Sequence, residues 1–320
     1  MNLADLTLSA PALGVLNMLL FVGTPACLLY IWVRGFPKPA RPVPRDELIS
    51  TFFGLILLIF SVWMFAAYGA TAVLRHLSPD VRLTTANLIA VIVAIYVGVL
   101  LIIQFRPHGI ERLGLAPHQF KPGLVRGFGA LLLILPWVLW TNLGVEAALK
   151  YFHRTSQTEH EIFKMWSGEG AHSTAFKVTA ILTAVLIAPI FEEILFRGLI
   201  QTLFLRMFEG QPKPPVQSQT DSGPIPMDQP IPQPSPVLAY ETPAAPQLAA
   251  TPWRHYLAIL LTAALFAIVH QPWTIQPSIF VLALGLGLAY ERTGNLWTSI
   301  TIHALFNTFN IFLFLQSTPT

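Results

Sequence analysis

Glu192 and Glu193 stand side by side in the stretch Ala188-Pro189-Ile190-Phe191-Glu192-Glu193-Ile194-Leu195-Phe196-Arg197-Gly198, inside an apolar run long enough to cross a bilayer. An ionised side chain at the bilayer centre costs roughly 2.5–3.5 kcal/mol or more, so intramembrane carboxylates face a protein interior or a wet cavity and carry function. Glu193 and Arg197 are spaced i,i+4 with the acid N-terminal, the arrangement that pairs on one helix face. Glu192 is rotated about 100° from Glu193 and away from that direction. The pattern assigns Glu193 and Arg197 to a buried structural ion pair and leaves Glu192 free for acid–base work. A polar knot that only fixes helix packing is the alternative.

Further chemistry-bearing residues follow downstream. Phe266 and His270 share one helix face at i,i+4 spacing, and so do His303 and Asn307. These two histidines are read as the only ones of the nine that lie in apolar segments. A single histidine on an apolar face is more often a hydrogen-bonded core residue than a catalyst. Two glutamates, two histidines and an asparagine on three apolar segments are different: one shared cavity would satisfy all of these costly groups together. Glu192, His270 and His303 are also a donor set that zinc accepts.

The ordered set Glu192-Glu193-x-x-x-Arg197, Phe266-x-x-x-His270 and His303-x-x-x-Asn307 resembles the motifs of the CAAX protease and bacteriocin-processing family, intramembrane endopeptidases that include the type II CAAX prenyl proteases. The resemblance runs from about Phe176 to Phe314 and rests on three spaced motifs in order rather than on any one of them. It implies that Glu192 and His270 activate a water molecule while His303 and Asn307 stabilise the oxyanion of a tetrahedral intermediate. Amide hydrolysis near neutral pH needs that pairing of a base with charge-stabilising donors. Family members have been described both as metalloproteases and as metal-independent glutamate proteases. The histidines here come from separate segments, so the expectation is no cofactor, with zinc on Glu192, His270 and His303 as the alternative. The implied substrate is a membrane-associated protein or peptide, and prenylation of that substrate is not implied by any residue.

The elements that must position these groups are membrane spans. The chain has 320 residues, 54% of them hydrophobic and 11% charged, with a mean hydropathy of +0.60, which describes a polytopic membrane protein rather than a soluble enzyme. The net charge of +3 includes no basic cluster of the kind that binds nucleic acid. The one cysteine, Cys27, excludes a disulfide framework or a thiolate metal site. Apolar runs at about 11–33, 51–74, 85–105, 127–149 and 176–204 are long enough to span. Shorter ones follow at about 256–270 and 275–290, and a last at about 296–314. The expected fold is an all-α transmembrane helical bundle of about eight spans. Residues 1–175 hold N-terminal helices and connectors, and 176–316 hold the catalytic core. Pro189 lies inside the fifth run, where the missing N–H must bend or break the helix and be compensated locally.

Two segments read as non-spanning. Residues 150–177 turn polar, with His153, His160 and His172 among glutamates at spacings that fit no helical HExxH zinc motif. Residues 209–252 hold about a dozen prolines with few large apolar side chains, the composition of a disordered, partly polyproline loop. Lysine and arginine favour the loops that follow the odd-numbered spans roughly two to one, which places both termini outside, in a bacterial-type cytoplasmic membrane. At about 1.5 Å per residue, straight surface-to-surface spans leave His270 and His303 near opposite sides, so their convergence requires tilted, broken or partly inserted helices.

Three function classes fit intramembrane acids and histidines: a membrane endopeptidase, a non-catalytic relative acting as an immunity or assembly factor, and a transporter with a proton relay. The ordered motifs favour the first.

Overall fold

The computed structural model describes residues 9–39, 41, 48–106, 108–153, 174–209 and 252–317. The expectations for the polar segment and the proline-rich loop fall almost wholly on residues outside these ranges. All regular structure among the described residues is helical. The chain runs through α1 (Pro11–Arg34), α2 (Ile49–Val73), α3 (Pro79–Phe105), α4 (Phe120–Tyr151), α5 (Lys177–Phe208), α6 (Pro252–Ile268), α7 (Gln276–Thr293) and α8 (Leu296–Ser317). Seven of the eight are long and apolar enough to cross a membrane, and α6 is the shorter apolar helix. The protein is an integral, multi-pass membrane protein. The segment expected to be short at 275–290 is longer than its apolar run, because a turn of 3₁₀ helix at Trp273–Ile275 leads directly into α7.

The prolines inside the long helices explain two local features. Pro136 lies within α4 and has no N–H to offer the carbonyl four residues back. The buried Cys27 thiol from α1 faces that carbonyl, with Sγ 3.6 Å from Leu132 O and 3.4 Å from Leu133 O. The second case is Pro189. Helix α5 stays continuous through it, but the preceding turn, Thr183–Ile187, is widened to the i→i+5 pattern. In that pattern the partner of Ala184 O is the N–H of residue 189, which proline lacks. The amide of Asn307 on α8 takes its place at 2.7 Å. A proline in one span thus creates the acceptor that a polar side chain on another must fill.

Glycine sets how closely α4 and α8 approach. A methyl group on Gly123 would come within 2.5 Å of Trp297 Cβ, and one on Gly127 within 2.5 Å of Thr301 Cβ and 2.8 Å of Thr298 O. Such small-residue faces are how helices approach in lipid, where packing rather than a hydrophobic drive holds them together. Gly127→Ala is expected to cost about 1–3 kcal/mol through overpacking, read as a lowered melting temperature in detergent. Unchanged melting would contradict this approach.

The turn between α7 and α8 packs against the segment that precedes α4. Gly294 ends α7 in the left-handed conformation at φ 60°, and Asn295 starts α8 by accepting from Trp297 N at 2.9 Å while donating to Gln119 O at 2.8 Å. Asn295 and Leu296 are 2% and 0% exposed. The first residues of α8 are therefore packed within the protein.

Candidate active site

Helix α5 presents the acidic pair between two widened segments, Thr183–Ile187 and Ile194–Gln201. Widened turns of this kind are frequent at functional sites. Below the pair, side chains one turn apart tie α5 to α7. Arg197 Nη2 donates to Ala283 O at 3.4 Å, and Gln201 Nε2 to Gly287 O at 3.3 Å. The two helices are thereby held in a fixed register beneath the carboxylates.

The expected division of labour between the glutamates has a geometric counterpart. Glu193 and Arg197 are both wholly buried and meet at 3.1 Å. The guanidinium also lies 4.4 Å above the Phe266 ring, so its charge is met by a carboxylate, a carbonyl and a π face. The Phe266 ring packs edge-on against Phe196 at 4.9 Å and His303 at 5.6 Å, and tilted against His270 at 4.5 Å. One aromatic side chain thus fixes the cation and both imidazoles relative to one another. Glu193 does more than pair with Arg197, because its Oε1 also lies 2.9 Å from His303 Nδ1.

Glu192 points elsewhere, as its 100° rotation requires. Its side chain keeps 24% of its exposure, and Oε2 lies 3.7 Å from His270 Nε2 and 3.8 Å from His303 Nε2. Both histidines use their other nitrogen locally. His270 Nδ1 is 2.6 Å from Phe266 O, so it carries the proton and Nε2 is left as an acceptor facing Glu192. The two histidines converge because α6 ends at Ile268 beside the acidic pair and His270 sits in the turn that follows, while α8 starts from its buried turn. Asn307, one turn beyond His303, is held through Nδ2 by Ala184 O. The structure thus gathers Glu192, Glu193, Arg197, His270 and His303 into one cluster and ties Asn307 to α5 beside it.

Sequence reasoning missed a second polar centre. Glu291 on α7 is wholly buried and its Oε1 accepts from Arg41 Nη2 at 2.7 Å and Gln201 Nε2 at 2.9 Å, while Oε2 lies 2.7 Å from His255 Nδ1. His255 is therefore a third histidine in an apolar helix, contrary to the reading that only His270 and His303 are so placed. The signal was weak, since Glu291 and His255 fall at the polar ends of short apolar runs and Arg41 sits in a basic loop 250 residues away in sequence. This centre pins the connector after α1 beneath α5, α6 and α7.

Residues 174–309 match the family model described as type II CAAX prenyl endopeptidase Rce1-like, which bears out the resemblance read from the three motifs. The match covers less than half of the chain and includes every residue of the acidic and histidine cluster. No curated protein and no solved structure matches.

Proposed function

We propose, from the premise that residues 174–309 carry a type II CAAX prenyl endopeptidase core, that the protein hydrolyses a peptide bond of a membrane-associated protein or peptide in or near the bilayer. The observation that carries this reading is the approach of two imidazole Nε2 atoms, at 3.7 and 3.8 Å, to one buried carboxylate oxygen of Glu192 that has no hydrogen-bond partner of its own. These separations are too long for direct hydrogen bonds and suit one bridging water. In the proposed step Glu192 takes the proton from that water, with His270 Nε2 accepting its second hydrogen and aiming the oxygen at the scissile carbonyl. Glu192 then returns the proton to the leaving amine.

His303 and Asn307 are the proposed oxyanion donors. Glu193, paired with Arg197, holds the His303 ring at Nδ1, and the proposed oxyanion contact is made from Nε2. Asn307 Nδ2 spends one N–H on Ala184 O and has a second to offer. Glu193 and Arg197 act at one remove, holding the His303 ring in place.

Zinc would take Glu192, His270 and His303 as ligands. In the reading proposed here each step is assigned to the chain's own groups, with zinc on those three residues as the alternative that chelation separates. Purified protein stripped with a chelator is expected to keep most of its rate, and Asn307→Ala to lose about 10²–10³ in turnover with little change in melting temperature. Near-complete loss on chelation, restored by stoichiometric zinc, would overturn the metal-independent step. Asparagine is a poor zinc ligand, so a wild-type rate in Asn307→Ala would count against the oxyanion role in either case.

A further inference from the structure

We infer that Gln276 is a positioning residue for His270, holding its imidazole in the tautomer and place that the proposed hydrolysis requires. The inference rests on that reading for its effect on rate, but not for its geometry. His270 lies in the short link between α6 and the 3₁₀ turn that opens α7, two residues past the end of its helix. The last carbonyls of a helix have no partner within it. The link cannot supply many N–H donors, because Pro272 has none. Gln276, in the first turn of α7, reaches back across the link and donates through Nε2 to His270 O at 3.0 Å and to Ile268 O at 3.3 Å. Both amide hydrogens of one side chain are thereby committed to the backbone on either side of Val269.

The consequence reaches the ring through two short links. His270 N donates to Ala267 O at 3.0 Å, so Gln276 fixes the peptide on the other side of the same residue and leaves the Cα between them with little freedom. The ring Nδ1 then stays 2.6 Å from Phe266 O. That contact keeps the proton on Nδ1 and the lone pair on Nε2, the atom 3.7 Å from Glu192. With the Gln276 amide removed, two carbonyls lose their donor and the link can shift. The Nδ1 contact lengthens, and the ring samples the other tautomer, in which Nε2 carries a proton and no longer accepts one from water. Gln276 is only partly buried and is not among the buried residues of the core, so its loss need not unfold the chain.

The test compares Gln276→Met, which keeps length but has no donor, with Gln276→Lys, which restores an N–H donor of similar reach. The proposal expects Gln276→Met to lower kcat about tenfold with KM and melting temperature near wild type, to displace the limb of the pH–kcat profile that Glu192→Gln does not remove, and to be largely rescued by Gln276→Lys. A readout independent of activity is ¹⁵N NMR of histidine-labelled protein, with His270→Gln assigning the resonance. Wild type should show a protonated Nδ1 and an unprotonated Nε2 at His270, and Gln276→Met should show averaging of the two tautomers. Unchanged His270 nitrogen shifts in Gln276→Met would overturn the proposal even if the protein proves to cleave no peptide. Shifts that do average, in a protein without peptidase activity, would uphold the positioning and count against the endopeptidase reading alone. A loss of kcat matched by a loss of melting temperature, with the pH profile unmoved, would also overturn it.

Discussion

Glu192→Gln is expected to fold and melt like the wild type and to lose about 10²–10⁴ in turnover, the usual contribution of a positioned general base. Shape is preserved by this change and the proton acceptor is removed. Two features separate Glu192 from its neighbour. It makes no close ion pair, with both histidine nitrogens beyond 3.5 Å, and its side chain keeps 24% exposure where that of Glu193 has none. Replacing it therefore leaves no opposite charge stranded within hydrogen-bonding distance. Melting temperature and cleavage rate, measured on the same preparation in lipid nanodiscs, check the two halves of the expectation. Wild-type-like turnover would remove Glu192 from the reaction.

Arg197→Ala is expected to have the opposite character, a loss of about 3–5 kcal/mol in stability that lowers yield before any rate can be measured. The guanidinium is wholly buried and meets Glu193 at 3.1 Å, Ala283 O at 3.4 Å and the Phe266 ring at 4.4 Å. Truncating it leaves the Glu193 carboxylate in the protein interior with only His303 to face it, and opens space beside Phe266. The penalty comes chiefly from the orphaned charge rather than from the strength of the pair. Arg197→Lys should recover part of it, because a point charge can face Glu193 but cannot also span to Ala283 O. Normal yield and melting of Arg197→Ala would contradict the buried pair.

The sequence was most informative where chemistry depends on spacing along one helix. The offset of four between Glu193 and Arg197 and the 100° rotation of Glu192 follow from helix geometry, and both are found in the structure; the helix face expected for Phe266 and His270 is not, since α6 ends at Ile268 and the two rings meet at 4.5 Å with His270 in the link beyond it. The eight long apolar helices among the described residues were also within reach of hydropathy, although only seven of them are long enough to span. What depended on contacts between distant segments was not legible. Hydropathy marks where an apolar run ends and not what that end packs against, so the contact of Asn295 with Gln119 at the α7–α8 turn could not be foreseen. The need for compensation at Pro189 was readable from the missing N–H, but not that Asn307 supplies it from more than 100 residues away. The Glu291 centre escaped notice for the same reason, since its members Arg41, Gln201, His255 and Glu291 share no local pattern.

The central claim is that the cluster at Glu192, His270 and His303 hydrolyses a peptide bond in a membrane-associated substrate. The most direct measurement incubates purified protein in lipid nanodiscs with a panel of membrane-tethered peptides, prenylated and unprenylated, wild type beside Glu192→Ala, and identifies products by mass spectrometry. The account predicts a discrete product from cleavage at one peptide bond with the wild type and none with the variant. No product from any peptide with the wild type, or the same product at the same rate from both proteins, would contradict it.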